Sequence, residues 1–119
     1  MQRVRKSTVI FTTLEPSNIC SYVHDHPNVI LLDVRTKEEF DGAAPYIEGK
    51  LNNAINIPLQ QLQIRMQEII NLKDSEIIVY CSHSHRSPQA SYILNQNGFS
   101  KIINMNGGMS KFTDSSCKY

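Results

Sequence analysis

Short apolar runs alternate with helical patterns along the chain, and this alternation limits the possible folds more than any other feature. Val29–Leu32 and Ile77–Tyr80 are continuously apolar, as expected of strands buried on both faces of a sheet. Further strands are predicted at Val9–Thr12, Ala54–Ile57 and Lys101–Met105. Because helical segments separate the strands, the strands are expected to run parallel through right-handed crossovers. We therefore expect an α/β fold with an open, mainly parallel five-stranded sheet and helices on both faces.

Local signals mark where the intervening helices begin and end. Pro16 is expected to open a short first helix. The segment Thr36–Glu39 forms a capping box, in which a hydroxyl and a carboxylate satisfy each other's backbone amides, and Gly42 ends that helix. Longer helices are predicted at Leu59–Leu72 and Pro88–Asn97.

Length and charge restrict the classes of partner. The 119 residues suffice for one domain, with a core at about residues 8–112 and a polar tail at 113–119 that is expected to fray. The 12 basic and 11 acidic residues are interspersed, which predicts no binding to nucleic acid or to an acidic membrane surface. We expect a monomer.

Targeting signals and cysteine usage favour a cytoplasmic protein. Residues 1–6 are basic, but Val9–Phe11 is too short to be the apolar part of a signal peptide. No apolar run approaches the roughly 20 residues that a membrane span requires. Cys20, Cys81 and Cys117 are odd in number and widely spaced, which predicts a reducing compartment rather than a disulfide framework.

The chemistry of the chain is concentrated at Cys81, which follows an apolar strand directly. The loop from Cys81 to Arg86 leads into a helix that is expected to start near Ser87. The unpaired amides and the dipole of a helix N-terminus favour an anion, and Arg86 adds a full positive charge. We expect this thiol to be partly ionised at neutral pH and to act as a nucleophile. Asp33 and Arg35 follow another strand and reach the same edge of the sheet.

Four landmarks, in order along residues 29–112, resemble those of a single-domain rhodanese, a sulfurtransferase. They are Leu32–Thr36 followed by Glu38–Phe40; Ala54–Pro58; Val79–Cys81 with Arg86 and Ser87; and Asn106–Met109.

The resemblance implies a persulfide cycle on Cys81. The cysteine would take a sulfane sulfur from thiosulfate or a persulfide donor and pass it to cyanide or to a thiol or protein acceptor. Neither a metal nor an organic cofactor is needed. The substrate would be held by the active-site loop, which comprises Ser82, His83, Ser84, His85, Arg86 and Ser87.

Two serines in this loop depart from the family pattern. Ser84 stands where the family often has glycine, and a positive φ there would cost a serine about 1 to 2 kcal/mol. Ser82 stands where the family often has a basic residue, which weakens the case for dianionic thiosulfate as the donor.

Supporting roles are expected for the other polar residues near the loop. Arg35 is predicted to pair with Glu38 or Glu39, while Asp33 accepts amide hydrogen bonds from a neighbouring loop. His83 and His85 are expected to line the mouth of the site.

Several alternative interpretations remain open. Cys81 could be a buried, inert cysteine, or the chain could be a non-catalytic rhodanese-like interaction module. Phosphatases and arsenate reductases also place an arginine after a cysteine, but with five residues between them instead of the four found here. A metal on Cys81 and the loop histidines, joined by His24 and His26, lacks a fourth ligand at structural-zinc spacing. Nothing in the sequence places Cys20 or Cys117 near Cys81 as a resolving thiol.

Overall fold

A computed structural model describes residues 10–118, and within them the chain forms a parallel sheet of five strands. The spatial order is β1-β5-β4-β2-β3, and each neighbouring pair runs parallel. The strands are β1 (Thr12–Leu14), β2 (Ile30–Asp33), β3 (Ile55–Asn56), β4 (Ile77–Tyr80) and β5 (Ile102–Met105). The predicted α/β sheet is confirmed. Its first strand starts later than expected, and Val9 lies outside the described residues.

The α-helices are α1 (Pro16–Asp25), α2 (Lys37–Asp41), α3 (Leu59–Leu62) and α4 (Arg86–Gln96). Both halves of the predicted capping box form, since the Glu39 N–H donates to Thr36 Oγ1 and the Thr36 N–H donates to Glu39 Oε1. Gly42 ends α2 with a φ of 77°. None of the helices in residues 10–118 combines the length and the apolar character needed to cross a membrane.

The long helix predicted after Pro58 is wrong. The α-helix ends at Leu62, and the chain continues in two 3₁₀ turns, Met66–Glu68 and Ile70–Leu72. Leu62, Met66 and Ile69 are nevertheless buried. Their spacing of four and three residues brings them to the core in either conformation, so the apolar pattern did not distinguish a continuous helix from short turns.

Two apolar clusters cover the two faces of the sheet. Along β4, Ile77 and Val79 belong to one cluster, while Ile78 and Tyr80 belong to the other, as the alternation of side chains in a strand requires. Helices α3 and α4 pack on the first face, and α1 with the C-terminal segment packs on the second. Cys81 continues the first face, beneath α4.

The C-terminal segment is attached to this second face, so the prediction of a frayed tail is wrong for the described residues. Cys20 and Cys117 form a disulfide across 97 positions of sequence. The Asn52 N–H donates to Cys117 O, and Leu51 pairs with Lys118 in an isolated bridge. The expectation that the cysteines form no disulfide framework is wrong as well, because the fold brings two distant cysteines together. With two of the three cysteines joined, cysteine usage no longer indicates a reducing compartment.

We predict that Cys117→Ser lowers the free energy of unfolding by about 2 to 4 kcal/mol, because a crosslink that closes so long a loop restricts the unfolded chain. Denaturant unfolding, carried out with and without a phosphine reductant, measures this. The reductant should lower the parent to the level of the variant and leave the variant unchanged. Equal midpoints for the oxidised parent and the variant would show that the disulfide contributes nothing.

Candidate active site

Cys81 is the free thiol at the centre of the candidate site. It follows the last residue of β4 and is fully buried, and the other two cysteines are joined to each other. The Ser87 N–H, in the first turn of α4, donates to Cys81 Sγ at 3.4 Å, and the thiol donates to Ser87 Oγ at 3.5 Å. The sulfur therefore faces the N-terminus of α4, where backbone N–H groups and the helix dipole favour negative charge.

The loop between the strand and the helix presents free backbone amides. Among the described residues, none accepts a hydrogen bond from the N–H groups of residues 82–86. The Cys81 carbonyl accepts from the Met109 N–H at 2.8 Å, and the Ser82 carbonyl accepts from the Ser110 N–H at 2.9 Å. In a trans peptide the N–H points opposite to the carbonyl, so anchoring these two carbonyls outward turns the next two amides inward. Successive free amides of this kind are typical of the backbone concavities that bind anions in proteins.

Ser84 adopts the positive φ that its position in the loop requires, with a value of 66°. Its hydroxyl accepts a hydrogen bond from the Gly107 N–H at 2.7 Å and donates to Met105 O at 3.3 Å. These two bonds offset the cost of a left-handed serine. The departure from glycine at this position therefore ties the loop to the turn after β5.

Gly108 allows that turn to approach the loop closely. Its φ is 65°, and a Cβ placed on it would lie 2.4 Å from Ser82 O and 2.6 Å from Cys81 O. No side chain fits there without displacing the loop backbone. The second glycine of the last sequence landmark thus has a steric cause.

Arg86 points toward α2 and forms a bidentate ion pair with Glu39, with N–O distances of 2.7 and 3.0 Å. The pair with Arg86 lowers the pKa of Glu39 to about 2, with further help from Thr36. The same carboxylate closes the capping box of α2. The cation predicted to attract a substrate anion is thus bound to a carboxylate and fixes α4 against α2.

Asp33 and Arg35 form a buried pair beneath the loop, with 0% and 1% of their side chains exposed. Arg35 Nη2 donates to Asp33 Oδ2 at 2.7 Å and to Gly49 O at 2.9 Å. Burial would lower the pKa of Arg35, but hydrogen bonds and the charge of Asp33 outweigh burial and raise it. The predicted pairing of Arg35 with Glu38 or Glu39 is wrong.

The amide partner expected for Asp33 is also wrong in detail, because Asp33 Oδ1 accepts the Arg35 N–H, two residues along the chain, rather than an amide of a neighbouring loop. The short connection after β2 leaves this amide within reach of the carboxylate, which makes the local bond the available one. The pair positions the segment around Gly49.

The mouth of the site carries a carboxylate next to the loop. Ser82 Oγ donates to Glu48 Oε1 at 2.6 Å, and Arg35 Nη1 lies 3.8 Å from the same oxygen. His83 and His85 are exposed. A shallow pocket of about 310 Å³ lies beside the loop and is lined by Glu39, Pro45, Tyr46, Ile47, Glu48, Ser82 and His83. No group of three or more histidine, cysteine or acidic side chains among residues 10–118 is arranged to hold a metal ion.

Sequence analysis missed Glu48 and Asn104. Glu48 lies in an irregular connection, where no local pattern predicts that it reaches Ser82. Asn104 lies in β5 and accepts a hydrogen bond from the Ser87 hydroxyl at 2.6 Å. One signal was available for Asn104, because it is the only polar residue in an otherwise apolar strand.

Comparison with known proteins identifies the family. The rhodanese-like domain family matches residues 22–115. The chain belongs to the rhodanese-like domain family. A sulfurtransferase from Allochromatium vinosum is 30% identical over 96 residues, which are 81% of this chain and 82% of that protein. These findings confirm the resemblance that the four landmarks carry.

Solved structures share the rhodanese-like fold. The rhodanese-like domain protein from Staphylococcus aureus has a TM-score of 0.72 at 22% identity, covering 90% of this chain and 96% of that chain. The NAD-dependent persulfide reductase from A. fulgidus has a TM-score of 0.64 at 31% identity. That match covers 87% of this rhodanese-like chain but 16% of the reductase.

We predict that Gly108→Ala destabilises this rhodanese-like domain by more than the roughly 1 kcal/mol that a positive φ costs alanine, because its Cβ would overlap the loop backbone. Gly42→Ala is the matched control, since Gly42 has a φ of 77° but its Cβ would lie 3.9 Å from the nearest atom. Thermal unfolding compares the two. Equal losses of stability in the two variants would mean that the loop backbone shifts to accommodate the new side chain without an energetic cost.

The Glu39–Arg86 pair predicts acid sensitivity. Because the pKa of Glu39 falls from 4.5 to about 2 on folding, the stabilisation is complete above pH 4.5 and is lost as the pH falls toward 2. We expect Glu39→Gln to remove on the order of 1 to 3 kcal/mol of this pH-dependent stability. Glu38→Gln, at an exposed neighbour, is the control. Parallel stability curves for parent and Glu39→Gln between pH 5 and pH 2 would contradict the assignment.

Proposed function

We propose that this rhodanese-like protein is a sulfurtransferase that carries a sulfane sulfur as a persulfide on Cys81. The observation that carries the proposal is a free cysteine at a helix N-terminus, bordered by five backbone amides that have no protein partner among residues 10–118. Membership of the family and the related sulfurtransferase support it. The loop Ser82–Ser87 serves as the binding site for the transferred sulfur.

Loading is a thiolate exchange at a sulfane sulfur. With thiosulfate, the Cys81 thiolate forms a bond to the outer sulfur, the S–S bond of the donor breaks, and sulfite leaves with the electron pair. With a persulfide donor, the terminal sulfur moves to Cys81 and a thiolate leaves. In both cases the product Cys81–S–S⁻ carries its charge on the new sulfur, where the free amides and the dipole of α4 stabilise it.

Discharge reverses the exchange onto a different nucleophile. An acceptor thiolate bonds to the terminal sulfur, the Cys81–S bond breaks, and the Cys81 thiolate is regenerated along with the acceptor persulfide. Cyanide takes the same sulfur to give thiocyanate. No external oxidant or reductant is consumed. Because Cys81 is fully buried, the mouth of the site must open to admit the donor and the acceptor.

The charges around the mouth favour a persulfide donor over thiosulfate. Ser82 is uncharged and bonds to Glu48, while Arg86 is already paired with Glu39. Among residues 10–118, a dianion would therefore approach carboxylates with neither Arg35 nor Arg86 free to meet it. A persulfide carries at most one negative charge at the reacting end. In the described part of the chain, the four-residue spacing and the pairing of Arg86 with Glu39 also leave the loop without an arginine that could arch over a phosphoryl group. Phosphate ester hydrolysis is therefore not expected.

The central prediction is that the reduced protein gains one sulfur atom, reversibly, when it is incubated with a sulfane donor. Intact-protein mass spectrometry with a later reductant step measures this gain, first in the parent and then in Cys81→Ser. We expect the gain to be absent in Cys81→Ser and present in Cys20→Ser. A small-molecule persulfide should load the parent about tenfold faster than thiosulfate at equal concentration, because Arg35 and Arg86, the two described arginines beside the loop, are already paired with carboxylates.

Four results would contradict parts of this proposal. No mass gain with either donor would identify Cys81 as the inert buried cysteine of the alternative interpretation. Retention of the gain by Cys81→Ser would place the nucleophile elsewhere. Faster loading from thiosulfate would overturn the donor preference alone, and an aryl phosphate assay on the same sample would reveal a phosphatase.

A further inference from the structure

Asn104 accepts a hydrogen bond from the hydroxyl of Ser87, and Ser87 in turn contacts the sulfur of Cys81. The strand β5 alternates its side chains between the sheet faces, with Ile102 on the α4 face and Ile103 on the opposite face. Asn104 therefore faces α4 and shares that side of the sheet with Cys81. Asn104 is 4% exposed and lies in register with Val79 of β4. Burying a carboxamide in an apolar strand costs free energy unless the carboxamide forms hydrogen bonds.

The hydrogen bonds at Ser87 run in one direction when Cys81 is a thiol. The Ser87 hydroxyl gives its single proton to Asn104 Oδ1 at 2.6 Å, which leaves its oxygen to accept from the Cys81 S–H at 3.5 Å. Asn104 Nδ2 donates to no residue in the described part of the chain. One end of this carboxamide is thus bonded, and the other end has an unused donor.

A thiolate or a persulfide changes what Ser87 has to supply. In either form Cys81 Sγ has lost its proton, so the Ser87 oxygen no longer has a donor to accept from. A half-turn of the Asn104 carboxamide exchanges Oδ1 and Nδ2. Nδ2 then donates to Ser87 Oγ, and the hydroxyl proton becomes free to point at the sulfur.

We propose that Asn104 is a positioning residue for sulfur transfer: its carboxamide keeps Ser87 bonded in both states of Cys81 and reverses the direction of the Ser87 hydroxyl bond when the sulfur becomes anionic. This inference rests on the proposed sulfurtransferase function. Asparagine suits the role because it offers an acceptor and a donor within one rigid plane. Aspartate offers acceptors alone, and leucine offers neither.

A double-mutant cycle tests whether Asn104 acts through Ser87. Initial rates of sulfur loading from a small-molecule persulfide are measured for Asn104→Leu, Ser87→Ala and the double variant. We expect roughly a tenfold loss for each single variant and no greater loss for the double variant, because one charge-assisted hydrogen bond is removed in all three. Ser91→Ala is the matched control, since its buried hydroxyl bonds to Ser87 O on the same helix. Ser91→Ala should take up sulfur at the same initial rate as the parent.

A second measurement does not depend on sulfur transfer. The rate of Cys81 alkylation by iodoacetamide is followed against pH in the parent and in Asn104→Asp, with melting temperatures as a check on folding. The carboxylate of the aspartate can only accept the hydrogen bond of the Ser87 hydroxyl, so that hydroxyl cannot turn toward the sulfur. The carboxylate also adds negative charge near the sulfur. We expect its alkylation midpoint to lie higher by about 1 pH unit or more.

The outcomes separate this inference from the proposed function. Loading losses that multiply in the double variant, or parent-like loading by Asn104→Leu, would overturn the positioning role while the sulfurtransferase assignment stands. If the parent gains no sulfur, the sulfurtransferase assignment fails and the alkylation profile decides on Asn104 alone. An unshifted midpoint in a folded Asn104→Asp protein would overturn the inference.

Discussion

The close contact between the Gly108 turn and the loop after Cys81 is the constraint on which the candidate site depends. The turn supplies the Met109 and Ser110 amides that hold the Cys81 and Ser82 carbonyls, and it comes near enough because Gly108 has no side chain. With those carbonyls held outward, the loop amides are left for a ligand. The backbone of one loop thus holds the backbone of the other in the shape that the proposed anion site requires.

The charged side chains around this loop are committed to structure. Arg86 joins α4 to α2 through Glu39, and Arg35 joins the end of β2 to Gly49. Glu48, next to Gly49, then holds the Ser82 hydroxyl. Because both arginines are paired, the proposed sulfur anion would be stabilised by backbone amides and by the helix dipole. Amides in a fixed loop need no reorganisation when charge develops on the sulfur.

Several predictions from the sequence were confirmed because the information is local. The capping box at Thr36, the helix start at Pro16 and the buried strand before Cys81 each depend on neighbouring residues. The long helix after Pro58 was wrong because its apolar spacing is compatible with 3₁₀ turns as well. The Cys20–Cys117 disulfide was missed because residues 97 positions apart meet only through the packing of α1 against the C-terminal segment.

The sequence by itself determined the parallel α/β sheet, the family and the thiol at the junction of a strand and a helix, since apolar periodicity and short motifs specify those features. The tertiary structure alone decided which groups surround that thiol. Asn104 reaches Ser87 from β5, Glu48 reaches Ser82 from an irregular connection, and Glu39 takes the charge of Arg86. The physical reason is that these partners lie 17 to 47 residues apart along the chain. Only the packing of strands, helices and loops in the folded chain brings such side chains within hydrogen-bonding distance.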